Sequence, residues 1–181
     1  MIKIIHEGWL EGIQHLPSPF YDQRPSDAVL DLLVIHGISL PPNEFGGGFI
    51  DDLFLGRLDS TAHPSFSVLE GLKVSAHACI FRDGTIKQYV SFLDRAWHAG
   101  RSSYQGKIEC NDYGIGIELE GCDKYPYTDA QYTSLLHLTQ SIQKAYPRIN
   151  NNRIVGHCDV APERKQDPWQ SFDWQRFLSQ L

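Results

Sequence analysis

The feature that most constrains the fold is a nearly continuous apolar run over residues 28–35, which ends at His36-Gly37. A strand inside a parallel sheet is covered on both faces, so its sequence is apolar throughout rather than alternating. The run therefore predicts a central buried strand with a histidine at its C-terminal edge.

Other segments predict further strands. Residues 74–80 and 85–90 are strand-like and are joined through Asp83-Gly84, a strong hairpin signal. Residues 113–121 alternate between apolar and other residues, which predicts a strand with one apolar face. Residues 153–155 predict a short strand that gives way to a loop at His157.

Helices are predicted at three places. Thr128 and Gln131 match a capping box, and Pro147 marks the end of the helix that follows. A short helix is expected over residues 49–55, and a last amphipathic helix from Ser171 to the C-terminus. The predicted inward-facing residues of the long helix are Tyr132, Leu135, Leu136, Thr139, Ile142 and Tyr146. Strands and helices that alternate with a hairpin favour an α/β fold, a central mixed β-sheet flanked by α-helices.

Length and charge limit the classes of protein. A chain of 181 residues fits one domain, expected to span residues 1–181. The net charge of −6 argues against nucleic acid as a partner. No run approaches the ~20 apolar residues of a membrane span, and residues 1–10 do not resemble a secretory signal. We therefore expect a cytoplasmic monomer with no membrane partner, whose four cysteines are free thiols.

The chemistry-bearing residues suggest a zinc site. His36 and His157 each follow an apolar strand run, and neutral imidazoles from two adjacent strand ends can reach one metal. Asp167, ten positions after His157, could return as the third ligand. Asp159 is an alternative third ligand, and His77 and His98 could also enter the site. The spacing of these residues does not decide among the alternatives.

Hydrolysis needs more than the metal. Glu118 lies on a predicted strand between glycines, which would let a bulky substrate approach, and is a candidate general base. Lys165, two residues before Asp167, is a candidate cation for stabilising an oxyanion. Each has a simpler interpretation as a solvated or surface charge.

Several motifs together resemble a known family over residues 5–181. They are Val34-Ile35-His36-Gly37, Val74-Ser75-Ala76-His77, Arg95-Ala96-Trp97-His98-Ala99-Gly100, the stretch 114–121, Gly156-His157, and the stretch 161–168. These segments resemble the zinc-dependent N-acetylmuramoyl-L-alanine amidases, and among them the cytoplasmic 1,6-anhydro-N-acetylmuramyl-L-alanine amidases of cell-wall recycling.

The resemblance implies a fold related to peptidoglycan-recognition domains and a role for each matching residue. His36, His157 and Asp167 would bind zinc, Glu118 would accept the proton, and Lys165 would stabilise the transition state. The implied substrates are anhydro-muropeptides, cleaved between the lactyl group of anhydro-muramic acid and L-alanine. In the family-like segment that holds Trp97 and His98, the aromatic ring is expected to pack on a sugar face, and both residues are assigned to substrate binding. The alternative is that this segment is a loop anchored by a buried tryptophan. One departure is Trp169, where glycine is expected in close relatives.

Two rival functions differ from this one. A non-catalytic peptidoglycan-recognition module would keep the fold and groove but could dispense with the ligands and the base. A zinc hydrolase for another amide would keep the metal ligands and the base, since substrate choice resides in the groove and in the glycine-rich segment 38–64.

Overall fold

The computed structural model describes residues 2–181. Its strands, in chain order, are β1 (Gln14–His15), β2 (Tyr21–Asp22), β3 (Leu32–Ile38), β4 (Ala78–Ile80), β5 (Ile86–Gln88), β6 (Arg95–Ala96), β7 (Ser103–Tyr104), β8 (Lys107–Ile108), β9 (Gly114–Glu120) and β10 (Ile154–Gly156). Its helices are α1 (Phe49–Phe54), α2 (Cys110–Tyr113), α3 (Asp129–Ala145), α4 (His157–Val160) and α5 (Trp174–Leu178), with short 3-10 helices at Pro64–Leu69 and Asn151–Arg153.

Six strands form one mixed sheet in the order β1-β5-β4-β9-β3-β10. β4, β9, β3 and β10 run parallel to one another, whereas β4 and β5 form the predicted antiparallel hairpin. The long parallel pair β3–β9 lies inside the sheet between β4 and β10, and seven consecutive residues of the two strands are in register. The prediction of an α/β fold with a central mixed sheet flanked by helices is confirmed.

One face of the sheet packs on α3. The apolar residues that alternate along β9, Ile115, Ile117 and Leu119, are fully buried in the core cluster that also includes Leu135 of α3. The predicted capping box is present: Thr128 accepts the backbone N–H of Gln131, whose side chain accepts the N–H of Thr128. The core-facing prediction for α3 was wrong at one position, because Leu138 is fully buried whereas Leu136 is only half-buried.

Several predicted boundaries differ from the structure. β3 starts at Leu32 rather than at residue 28, and it continues through His36 because the ladder with β9 extends to Ile38. His157 opens the four-residue helix α4 rather than a loop. The predicted strands 74–80 and 85–90 shorten to β4 and β5, and the last helix covers only Trp174–Leu178.

Two other properties concern the described part of the chain. Within residues 2–181, all four cysteines are free thiols, as predicted. In the same range, no helix has both the length and the apolar character needed to cross a membrane.

Candidate active site

Three neighbouring parallel strands bring the predicted site residues to one edge of the sheet. β3 lies between β9 and β10, and His36 is in register with Glu118 of β9. On the other side, Ile35 is in register with Gly156 of β10, so the next residue, His157, lies level with His36. Carboxyl ends of adjacent parallel strands meet at one edge, which is where α/β folds bind ligands.

His36, His157 and Asp167 form a compact triangle of ligand atoms. His36 Nδ1 lies 2.9 Å from His157 Nδ1. Asp167 Oδ2 lies 3.0 Å from His157 Nδ1 and 3.5 Å from His36 Nδ1. All three residues are buried, and the potential ligand atoms lie within 4.8 Å of one another. The structure therefore brings together the three residues that the sequence predicted as metal ligands.

Hydrogen bonds behind the triangle orient the two imidazole rings. His157 Nε2 lies 3.3 Å from the carbonyl oxygen of Ala99. A carbonyl oxygen only accepts, so the tautomer with its proton on Nε2 can donate to Ala99, and that tautomer leaves the lone pair of Nδ1 for a metal ion. His36 Nε2 lies 2.9 Å from Nδ1 of His98, so the second ring also has a partner on its far side. Such outer partners fix the tautomer and the orientation of metal-binding histidines.

The electrostatics of the triangle suit a cation. Burial, followed by the neighbouring His157, lowers the pKa of His36 to about 4. Burial alone would raise the pKa of Asp167, but hydrogen bonds from His157 and His36 hold that pKa well below its usual range. At neutral pH the triangle therefore offers imidazole nitrogens and one carboxylate, which is a donor set that zinc accepts. Because these donors converge within one small buried space, the residues fit a divalent metal ion.

Glu118 lies beside the triangle on the central strand. Its Oε2 is buried and has no hydrogen-bond partner within residues 2–181. Burial, followed by the negative charge of Asp167, raises the pKa of Glu118 well above its ordinary value, and Lys165 partly opposes this. A carboxyl group with raised proton affinity is suited to take up a proton and return it during a reaction.

Lys165 belongs to the C-terminal segment, which we define as residues 157–169. Its positive charge acts on both Glu118 and His36, lowering the pKa of each. Its backbone N–H donates to the carbonyl of Ala161 at 3.0 Å, which fixes the turn after α4. The chain therefore places one cation within electrostatic reach of the candidate base and of the triangle.

The alternative ligands occupy other positions. Asp159 Oδ2 accepts the backbone N–H of Gly156 at 2.7 Å, so this carboxylate caps α4. His77 Nδ1 accepts the backbone N–H of Gly116 at 3.0 Å, and His98 lies behind His36. Within residues 2–181, the only group of three that can hold a metal is the triangle.

Trp97 and His98, which the resemblance assigned to substrate binding, are largely enclosed. The ring of Trp97 stacks on Phe20 with centroids 6.2 Å apart, and its indole nitrogen is buried without a partner within residues 2–181. His98 is 9% exposed, and its ring fills the space that a side chain at Gly116 would need. The ring of His98 therefore fills the space at one of the glycines near Glu118, and the substrate role of Trp97 and His98 stays a prediction.

Two residues that shape the site were not predicted. Asn111 Oδ1 accepts the backbone N–H groups of His98 and Ala99, at 3.2 and 2.8 Å. The guanidinium of Arg164 donates to the carbonyl oxygens of Ala99 and Arg101. Both hold the segment whose carbonyl orients His157, but they do so through backbone atoms, which leave no pattern in the sequence.

A groove of about 630 Å³ opens next to this segment. Its lining comes from residues 101–103, 108–109 and 160–164, and it includes two arginines, Arg101 and Arg164, and two glutamates, Glu109 and Glu163. Arg164 connects the groove to the segment described above, because it donates to the carbonyl of Ala99.

Comparison with known proteins decides the family. Residues 26–170 match the family of N-acetylmuramoyl-L-alanine amidases, a range that includes all five predicted catalytic and metal-binding residues. The chain belongs to this amidase family. The predicted resemblance and the predicted class of enzyme are both confirmed.

Named relatives cover almost the whole amidase chain. It is 55% identical over 180 residues to the 1,6-anhydro-N-acetylmuramyl-L-alanine amidase AmpD of Haemophilus influenzae, covering 99% of this chain and 98% of the relative. The crystal structure of a selenomethionine AmpD derivative superposes with a TM-score of 0.94 at 56% identity, covering 98% of each chain.

A more distant solved structure contains a ligand. The amidase AmiD of Escherichia coli, in complex with its substrate anhydro-N-acetylmuramic acid-L-Ala-D-γ-Glu-L-Lys, has a TM-score of 0.63 at 30% identity. The match covers 87% of this chain and 60% of AmiD.

Proposed function

We propose that the chain is a zinc-dependent amidase that cleaves the amide between the lactyl group of 1,6-anhydro-N-acetylmuramic acid and L-alanine of the stem peptide. The observation that carries the proposal is the buried triangle of His36, His157 and Asp167 beside Glu118. The chain that holds it is 55% identical to the 1,6-anhydro-N-acetylmuramyl-L-alanine amidase AmpD of Haemophilus influenzae. The reaction belongs to peptidoglycan recycling, and we place it in the cytoplasm.

His36, His157 and Asp167 would hold the zinc ion through two Nδ1 atoms and one carboxylate oxygen. When bound, zinc supplies Lewis-acid chemistry, which polarises a carbonyl group and acidifies water. Ala99 and His98 keep the two imidazole rings turned toward the ion, since each contacts the nitrogen on the far side of its ring.

Glu118 performs the proton transfers. Its carboxylate takes a proton from the attacking water as the oxygen adds to the lactyl carbonyl carbon. The C–N bond then breaks, and Glu118 returns the proton to the nitrogen of L-alanine, which leaves as a free amine. The raised pKa of Glu118 favours this exchange, because the group holds a proton firmly enough to carry it between the two steps.

Lys165 opposes the negative charge that develops on the carbonyl oxygen during addition. A positioned cation in a partly buried site stabilises such an oxyanion more strongly than it would in water. Its charge is already present in the site, as its effects on Glu118 and His36 indicate.

The groove beside Ala99 is the proposed path of the stem peptide. Arg101 and Arg164 line it together with Glu109 and Glu163, so the groove offers partners both for the carboxylates and for the N–H groups of a peptide. Trp97 and His98 remain the proposed contacts for the sugar, and Trp97 is the more accessible of the two because it is only half-buried.

We also propose that residues 1–181 form a single amidase domain. β1, which precedes the matched range, joins the same sheet, and Phe177, which follows it, is buried in the same core cluster. The proposed partner is the small muropeptide alone, for a monomer that binds neither nucleic acid nor membrane.

The direct test is incubation of the zinc-loaded protein with an anhydro-muropeptide. We expect release of the free stem peptide, detected by mass spectrometry, and no release by a His36→Ala variant. A muropeptide with an intact reducing sugar is a second substrate, and we expect slower cleavage of it. If the wild-type protein binds zinc but releases no peptide from either compound, the proposed function is wrong.

A further inference from the structure

Trp169 has a backbone conformation that its residue type disfavours. It lies two residues after Asp167 and has φ of 62°, in the left-handed region. For residues with a side chain this conformation is sterically disfavoured, so glycine is the usual choice. A tryptophan held there must be compensated by contacts of its ring.

The ring of Trp169 occupies the side-chain space of Gly37. A Cβ atom at Gly37 would lie 2.5 Å from Cζ3 and 3.0 Å from Cε3 of Trp169, and it would also clash with the hydroxyl of Tyr127. Real Cβ atoms essentially never show such separations, so the indole fits only because residue 37 is glycine. The two unusual residues, one on β3 and one on the C-terminal segment, are therefore complementary.

Both residues are joined to the ligand Asp167. The backbone N–H of Gly37 donates to Asp167 Oδ2 at 3.4 Å, and Gly37 directly follows His36. The backbone N–H of Trp169 donates to the carbonyl of Gln166 at 2.9 Å, closing the turn that contains Asp167. The contact between indole and Gly37 thus presses this turn against the strand that carries the first ligand.

A third contact supports the same turn. The hydroxyl of Tyr127 donates to the carbonyl oxygen of Pro168 at 3.3 Å. Tyr127 is buried and also fills the side-chain space of Gly121, so it forms a fixed wall behind the segment. Trp169 therefore packs into a niche formed by Gly37 and Tyr127.

We propose that Trp169, packed on Gly37, is a positioning residue that holds Asp167 in place as the third metal ligand. The inference rests on the proposed zinc site. It predicts that the indole contributes to metal affinity without touching the metal, as residues behind the ligands of other metal sites do.

The test measures zinc dissociation constants by competition with a chelator. Trp169→Gly removes the ring and also places at residue 169 the residue type that best tolerates the left-handed conformation. A loss of zinc affinity in this variant therefore cannot be attributed to added backbone strain. We expect this variant to bind zinc about 10–100-fold more weakly, the range typical for outer residues of metal sites. Trp169→Phe, which keeps an aromatic ring on Gly37, should recover a large part of the affinity.

Gly37→Ala disrupts the same contact, between residue 37 and the indole of Trp169, from the side of the strand. We expect a similar loss of zinc affinity. A double variant with Trp169→Gly should lose less than the product of the two single losses, because the new methyl group no longer meets the indole and only its contact with the Tyr127 hydroxyl remains. Gly114→Ala is the matched control on β9, where the added Cβ would lie 2.6 Å from the carbonyl oxygen of Cys110. It should lower the melting temperature of the metal-free protein and leave zinc affinity unchanged.

The outcomes separate the inference from the proposed function. A wild-type protein that binds no zinc would refute the metal site itself. A wild-type protein that binds zinc, with Trp169→Gly within twofold of it, would overturn the positioning role alone. The positioning role also fails if Gly114→Ala weakens zinc binding as much as Gly37→Ala does.

Discussion

The two halves of the candidate site are built in different ways. His36 and Glu118 lie on β3 and β9, the longest paired strands of the sheet, where seven consecutive residues are in register. His157, Lys165 and Asp167 belong to the C-terminal segment, whose only regular structure is the four-residue helix α4.

The C-terminal segment depends on a few individual contacts. Cys158 donates its backbone N–H to the carbonyl of Asp167 at 2.9 Å, and Tyr127 and Gly37 supply one hydrogen bond each. Regions with few buried contacts open at lower free energy than central strands. The fold alone therefore presets the strand half of the site, whereas the segment half is expected to depend on the metal that joins the two.

Removing the ligand of the segment half gives the largest expected effect. Asp167→Ala deletes the only carboxylate of the triangle, so zinc content should fall far below one ion per chain and turnover should be lost. Metal content is measured by mass spectrometry and turnover by release of stem peptide.

Asp159→Ala is the matched control for that experiment. It removes a carboxylate from the same segment that caps α4, so it should cost about 1 kcal/mol of stability and keep the zinc. Full zinc occupancy in Asp167→Ala, with loss in Asp159→Ala, would reverse the two assignments.

Changing the base of the strand half should separate metal binding from catalysis. Glu118→Gln keeps the shape of the side chain but cannot accept the water proton, so turnover should fall by ~10²–10⁴-fold while zinc is retained. Glu120→Gln is the control on the same strand face, because Glu120 is buried and accepts the backbone N–H of Gly46. A Glu118→Gln variant with near-normal turnover would show that another group is the base.

The sequence anticipated that the two histidines of the triangle would meet, because each of them follows a local pattern. The apolar run before His36 and the short strand before His157 placed both histidines at strand ends, and parallel pairing brings such ends together. Spacing alone left Asp167 and Asp159 as alternatives, and the resemblance favoured Asp167. The structure separates them, since the carboxylate of Asp159 caps α4.

What the sequence did not predict are contacts between distant backbone and side-chain atoms. The carbonyl of Ala99 orients His157, and Arg164 and Asn111 hold that segment through backbone groups, which are the same for every residue type. The packing of Trp169 on Gly37 joins positions far apart in the chain, so a single sequence shows only an unexpected tryptophan and an unremarkable glycine.

Removing zinc should have the smallest of these effects, a faster exchange of backbone N–H groups that is confined to the segment half. With free zinc at 100 times its dissociation constant, binding stabilises the closed segment by about 2.7 kcal/mol, or roughly 100-fold in its opening equilibrium. Hydrogen exchange of the backbone N–H groups of Cys158 and Trp169 should therefore accelerate by about that factor when the metal is chelated. The amides of β3 and β9 should stay protected, because their ladder does not involve the ion. Equal acceleration in the central strands would show that the metal stabilises the whole fold, and the distinction between the two halves would then fail.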